Sequence, residues 1–238
     1  VDAGSNLGAS AVGCVFIGTE AGIGNIQGDR LIAIGKQSAG RTSTNEFRGD
    51  DCIAIGTEAM QAQASVVAVA ENIAIGNYAM EGLASTTSFC TCIGYEAGKG
   101  INANSNICIG GGAGNSGITG DSNILIGVNA DINADATTNA IAFGDAVTAV
   151  GSNTVTLGNV SCTKVYMAQD QGAAAFVNYI NMLAPGGDPT EPAEGHAIIW
   201  ISNGSSKGDA GDIMMASHPT GGSTTYGTIF DHSDSSAW

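Results

Sequence analysis

The side chains able to do chemistry are few in this sequence and poorly spaced for it. Asp50 and Asp51 are adjacent, so in a strand they point to opposite sides and cannot work as an acid and base pair. Glu191, Glu194 and His196 fall in a stretch broken by Pro189 and Pro192. Asp209, Asp212, Asp231, His232 and Asp234 could gather around a cation where several chains meet, but aspartates flanked by glycine and serine are ordinary turn residues. The six cysteines contain no Cys-x-x-Cys pair and so no metal-ligand spacing. These patterns predict no enzyme, no cofactor and no resident metal.

The elements that would have to position any site form a repeat. Asn72-Ile73-Ala74-Ile75-Gly76 returns in variants whose closing glycines are Gly18, Gly35, Gly56, Gly76, Gly94, Gly110, Gly127, Gly144 and Gly158. The steps between them are 17, 21, 20, 18, 16, 17, 17 and 14 residues. Nine returns at a nearly fixed period predict stacked coils, each too small to bury a core alone. At about 4.8 Å per coil the stack is a rod on the order of 40 Å long.

Within each copy, apolar residues stand one and three positions before the glycine, an alternation that predicts a short β-strand with one face buried. The position just before the glycine carries Ile34, Ile55, Ile75, Ile93, Ile109, Ile126 and Phe143, the large residues expected to fill the coil core. Between the two large positions stand Ala33, Ala54, Ala74, Cys92, Cys108 and Ala142. A strand open to water should be polar there, so these small residues are expected to face another protein surface at close range. Beyond the glycine an alanine recurs at Ala21, Ala59, Ala79, Ala97, Ala113 and Ala130, followed by a second apolar point at Ile26, Leu83, Ile101 and Ile118. Each repeat therefore reads as two short strands and two turns.

Asn72-Ile73-Ala74-Ile75-Gly76 and Asn139-Ala140-Ile141-Ala142-Phe143-Gly144 resemble the head repeats of YadA-like trimeric adhesins, Asn-Ser-Val-Ala-Ile-Gly-x-x-Ala/Ser. The resemblance covers roughly residues 10 to 165. It implies an all-β fold: a left-handed parallel β-roll of about nine coils in which three identical chains pack side by side, the small central residues near the partner chains. Similar repeats occur in bacterial surface adhesins and in phage tail or virion fibres. The end of the array, Asn153 to Asn159 running into Lys164-Val165-Tyr166-Met167, looks like the exit of such arrays in phage fibre proteins.

Two long steps predict loops at 41–50 and 61–71, the first rich in charge. All four prolines, all three histidines and both tryptophans lie after residue 184, while every cysteine lies at or before Cys162. That break separates a repeat domain over 1–165 from a neck over 166–189 and a C-terminal module over 190–238. Phe176, Val177, Ile180 and Leu183 fall on one face of a helix over 171–183, which Pro185 and Pro189 stop. Ala197 to Ile201, Asp212 to Ala216 and Thr224 to Phe230 then read as a three-stranded antiparallel meander.

Glycine is 36 of 238 residues, yet hydrophobic residues reach 43%, which excludes a disordered chain. Net charge is −15 and the seven basic residues form no cluster, so nucleic acid is not an expected partner. No apolar run reaches the length of a membrane span and no signal peptide is visible, so membrane insertion is not expected. The first residue is Val1, as in a processed product or the ordered part of a longer chain. The cysteines are expected to be free thiols acting as small buried residues.

The expected function is a trimeric, non-enzymatic fibre or spike of a phage virion, bound to other tail proteins and to a glycan or protein receptor on the host surface. Its contacts are expected in the last module, at Asn203, Ser205, Ser206, Lys207, His218, Thr220 and Tyr226. The alternative is the head of a bacterial trimeric adhesin at the cell surface. A structural virion decoration and a polysaccharide-degrading spike stand behind these.

Overall fold

Nine three-residue segments, each ending just before a repeat glycine, are β-strands: Val15–Ile17, Ile32–Ile34, Ile53–Ile55, Ile73–Ile75, Thr91–Ile93, Ile107–Ile109, Ile124–Ile126, Ile141–Phe143 and Val155–Leu157. They pair in chain order as one parallel sheet, the front of a solenoid of about eight turns. Like sits on like, with Ala54 paired to Ala74, Cys92 to Cys108 and Ile109 to Ile126. The computed structural model describes residues 3–4, 11–25, 28–40, 46–63, 66–83, 87–162, 165, 196–202, 212–219 and 222–230. The neck expected over 166–189, with its helix, lies outside the described residues.

The rear wall is less regular. Glu46–Asp50, Val66–Ala70 and Thr87–Ser88 form a three-stranded parallel sheet, and Asp131–Ile132 pairs with Thr148–Ala149. The stretches 41–50 and 61–71, expected as loops, thus contribute paired strands at their ends. Phe47 fills the coil there and is fully buried, which gives that length of chain a reason to follow the stack rather than leave it.

The glycine column is required twice over. Gly18, Gly35, Gly56, Gly76, Gly94, Gly110, Gly127 and Gly144 all have φ between 122° and 139°, a conformation that L side chains avoid. A Cβ on Gly94 would also lie 2.5 Å from the carbonyl oxygen of Gly110 in the next coil.

The front alternation faces the opposite way from the sequence expectation. Ala33, Ala54, Ala74, Cys92, Cys108 and Ala142, expected at the surface toward partner chains, are fully buried inside their own coil. Ile34, Ile55, Ile109 and Ile126, expected as coil core, are only half-buried, and Ile75, Ile93 and Phe143 are exposed. The cause is the narrowness of the coil. Ala added at Gly98, on the opposite wall, would overlap the Cys92 sulfur, and a Cβ at Gly114 would lie 2.6 Å from the Cys108 sulfur. Two walls this close leave room for Ala or Cys between them, so the bulky β-branched residues turn outward.

Buried asparagines tie the coils together. Asn106 accepts from the Asn123 backbone N–H at 2.8 Å, and Asn123 accepts from Ala140 N–H at 3.0 Å. Their amide groups donate back to carbonyls, Asn106 to Gly120 at 3.1 Å and Asn123 to Thr137 at 2.7 Å. Asn72 does the same toward Cys90 and Thr87. Each buried amide therefore satisfies backbone groups that the tight turns leave without ladder partners.

The chain divides into two compact units, Val1–Val165 and Tyr166–Trp238. In the second, His196–Ile201, Ile213–His218 and Thr225–Phe230 form the antiparallel meander expected from the sequence. Trp200, Met214 and Ala216 pack on one face with Ile198 and Tyr226.

Candidate functional site

The feature that dominates the surface of the solenoid is an apolar ribbon. On each front strand the residues before and after the central one point outward, so nine strands set two columns of Ile, Val, Leu and Phe side by side, interrupted only by Thr91. In the middle of the stack Ile75 and Ile93 are each 36% exposed, and at its lower end Phe143 and Leu157 are 55% and 50% exposed. The partial values follow from the spacing: neighbours about 4.8 Å away shield the flanks of each side chain but leave its tip in water.

The sites suggested by residue chemistry do not assemble. Asp50 accepts from the Asp29 backbone N–H at 2.8 Å, while Asp51 pairs with Arg30 at 2.5 and 2.6 Å. That ion pair raises the Arg30 pKa and lowers that of Asp51, mainly through the hydrogen bond between them. Both groups are committed to a surface pair bridging adjacent coils. Asp131 is held above its ordinary carboxylate value, chiefly by burial, and it accepts from Ser116 Oγ at 2.9 Å. Among the described residues no three His, Cys, Asp or Glu side chains come together as metal ligands.

Cys14, Cys52, Cys90, Cys92 and Cys108 are in no disulfide. Burial pushes the Cys52 and Cys90 thiols up to about 11. The neighbouring Cys108 thiol, with which it hydrogen-bonds, raises that of Cys92, and burial adds to this. Protonated thiols shut away in this manner are filling, not nucleophiles.

Of the expected receptor contacts, Asn203, Ser205, Ser206, Lys207 and Thr220 lie outside the described residues. Tyr226 is half-buried against the cluster around Trp200, and His218 ends its strand opposite His196. The other face of that sheet exposes Ile199, Met215 and Ile229. At the end of the described solenoid, Ala146, Thr148, Val150, Thr156 and Val160 line a mainly apolar hollow of about 520 Å³.

The turns after the glycine column hold an aromatic cluster. Tyr78 and Tyr95, from adjacent coils, meet edge to face with centroids 5.9 Å apart. Lys99 Nζ lies 5.5 Å from the centre of the Tyr78 ring and pairs with Glu81 at 2.9 Å and Glu96 at 3.0 Å. Sequence reasoning passed over this cluster because Tyr78 and Glu81 lie in one turn and Tyr95, Glu96 and Lys99 in the next, and only the stack brings the two groups together.

Compared with known proteins, the chain matches no family model, no curated protein and no solved structure.

Proposed function

We propose that this chain is a non-enzymatic, homotrimeric fibre or spike component of a phage virion that attaches the particle to a host-cell surface. The observation that carries the assembly is the exposed Ile and Val ribbon along the nine-stranded face. Three chains packed in parallel with their ribbons inward would remove it from water, and the outward-pointing Ile residues, rather than the buried Ala and Cys column, would form the contact. The threefold arrangement and the left-handed β-roll come from the likeness of Asn72–Gly76 to YadA-like head repeats. The exposed face of Ile199, Met215 and Ile229 in the last module gives a second apolar surface for the same assembly.

Attachment fits a rod whose interior is committed to structure and whose carboxylates and thiols are tied up in packing. In this reading the receptor contacts lie in the last module, around Lys207 and His218. Light scattering behind a sizing column at several dilutions tests the assembly, with an expected mass of three times the 23.6 kDa chain. A monomer at every dilution would remove its main support. Deleting 190–238 and finding binding to bacterial cells unchanged would remove the placement of the receptor site.

A further inference from the structure

One position in the column just after the repeat glycines has no side chain. That column reads Thr19, Lys36, Thr57, Asn77, Tyr95, Gly111, Val128, Asp145 and Asn159. Hydrogen bonds from Gly112 N–H to the Tyr95 carbonyl at 2.8 Å, and from Asn129 N–H to the Gly111 carbonyl at 2.9 Å, place Tyr95, Gly111 and Val128 directly above one another. The backbone does not demand glycine at 111. Its φ is not positive, and a Cβ there would meet nothing within 4 Å. The missing side chain opens a notch between Tyr95 and Val128, whose backbones are two coil spacings, about 10 Å, apart.

The walls and surroundings of this notch have a definite chemistry. Tyr95 is 57% exposed and Val128 is 52% exposed. Tyr95 is held in place from the side away from the notch by its edge contact with Tyr78, itself pinned under Lys99. A Cβ placed on the next residue, Gly112, would run into the Asn129 side-chain oxygen and come within 3.4 Å of the Asn115 side-chain nitrogen, so the two exposed amides meet beside the notch, one residue along the turn. Neither amide has a hydrogen-bond partner among the described residues. Lys99, in the turn that carries Tyr95, is neutralised by Glu81 and Glu96.

We propose that this notch is a binding site for a neutral saccharide. An immobilised aromatic ring takes the C–H face of a pyranose, and the apolar Val128 wall closes on its other side. Asn115 and Asn129 each offer both a donor and an acceptor, which is what vicinal hydroxyl groups need. A chain of net charge −15 with no unpaired cation at the notch disfavours acidic sugars. The site lies in the repeat array, apart from the residues of the last module assigned to the receptor above. It names a ligand class for an attachment protein but does not depend on the number of chains.

The test is a printed array of neutral oligosaccharides ending in hexose or N-acetylhexosamine, with sialylated and sulfated oligosaccharides and proline-rich peptides alongside, probed with the labelled full chain. Binding to neutral oligosaccharides is expected, with affinity reduced tenfold or more by Tyr95→Ala and by Gly111→Leu, which fills the notch. Both variants should keep the parent's circular dichroism and melting midpoint. The proposal is overturned by the absence of neutral binding, by neutral binding that survives both substitutions, or by binding confined to acidic glycans or peptides. A change in solution mass on Gly111→Leu would also overturn it, since a second copy of the chain would then occupy the notch. If the mass stays trimeric and no sugar binds, this site fails and the assembly stands.

Discussion

The narrow interior can be tested by a double-mutant cycle at Cys92 and Gly98, which face each other across one coil. Gly98→Ala alone drives a methyl group into the Cys92 sulfur and against its Cβ at 3.3 Å. Overpacking of that kind costs about 1–3 kcal/mol, and the left-handed φ of 63° at Gly98 adds about 1 kcal/mol for any L residue. Cys92→Ala alone leaves a void of one sulfur and costs about 1 kcal/mol. In the double variant the new methyl occupies the vacated space, as Ala39 does opposite Ala33 in an earlier coil, and only the backbone cost remains. Gly98→Ala is therefore expected to cost about 3 kcal/mol in the parent and about 1 kcal/mol on the Cys92→Ala background, a coupling of about 2 kcal/mol. Urea unfolding followed by circular dichroism at one fixed protein concentration reads these differences. Additivity within about 0.5 kcal/mol would mean that the two residues do not meet, and the assignment of the small column to the interior would fall.

Other consequences are as direct. Ile75→Asp combined with Ile93→Asp puts two charges in the middle of the ribbon and should reduce the solution mass toward that of one 23.6 kDa chain while leaving the circular dichroism of the coils intact. Gly110→Ala should destabilise by several kcal/mol, because φ is 131° and the Cβ would strike the Gly127 carbonyl, whereas Gly111→Ala next to it should be neutral or stabilise by about 0.4–1 kcal/mol; comparable losses at both positions in thermal unfolding would refute this. Asn123→Leu should cost about 2–4 kcal/mol in the same assay, since it strands the Ala140 N–H and the Thr137 carbonyl. Cys52 and Cys90 have folded-state values raised to about 11 from 9.0, so their contribution is complete below pH 9 and is lost as the pH rises toward 11, by about 2–3 kcal/mol for each thiol. A disulfide reagent at pH 8 should accordingly label Cys52, Cys90, Cys92 and Cys108 only after denaturant is added.

The strands, their order and the C-terminal meander were legible in the sequence because a repeated Ile-Ala-Ile-Gly fixes strand, turn and register at once. Other turns were not. Each coil has further left-handed positions occupied by residues that announce nothing, such as Arg30, Glu58, Phe89 and Ala146. There the stack imposes the conformation through backbone bonds between coils, and the local sequence has no vote. The Tyr78, Tyr95 and Lys99 cluster was hidden for a related reason, since Tyr78 meets the other two only when adjacent coils are in register.

The direction of the alternation was the main misreading, although the sequence held a signal for it. Period-two spacing says that two sets of side chains face opposite ways, and the habit of placing the larger set inside decides between them only when the interior is wide. Four residues after the repeat glycine, the chain has Gly22, Gly98 and Gly114 in the coils whose central residue is Phe16, Cys92 or Cys108. It has Ala39, Met60 and Met80 where the centre is Ala33, Ala54 or Ala74. In these six coils a large centre goes with glycine opposite and a small centre with a side chain opposite, which is the signature of two positions sharing one volume; the coil of Leu125, with Asp131 at the opposite position, departs from it. Residues facing different partners would have no reason to trade size in this way. The same trade frees the Ile column from the core and leaves it on the outer face of the solenoid.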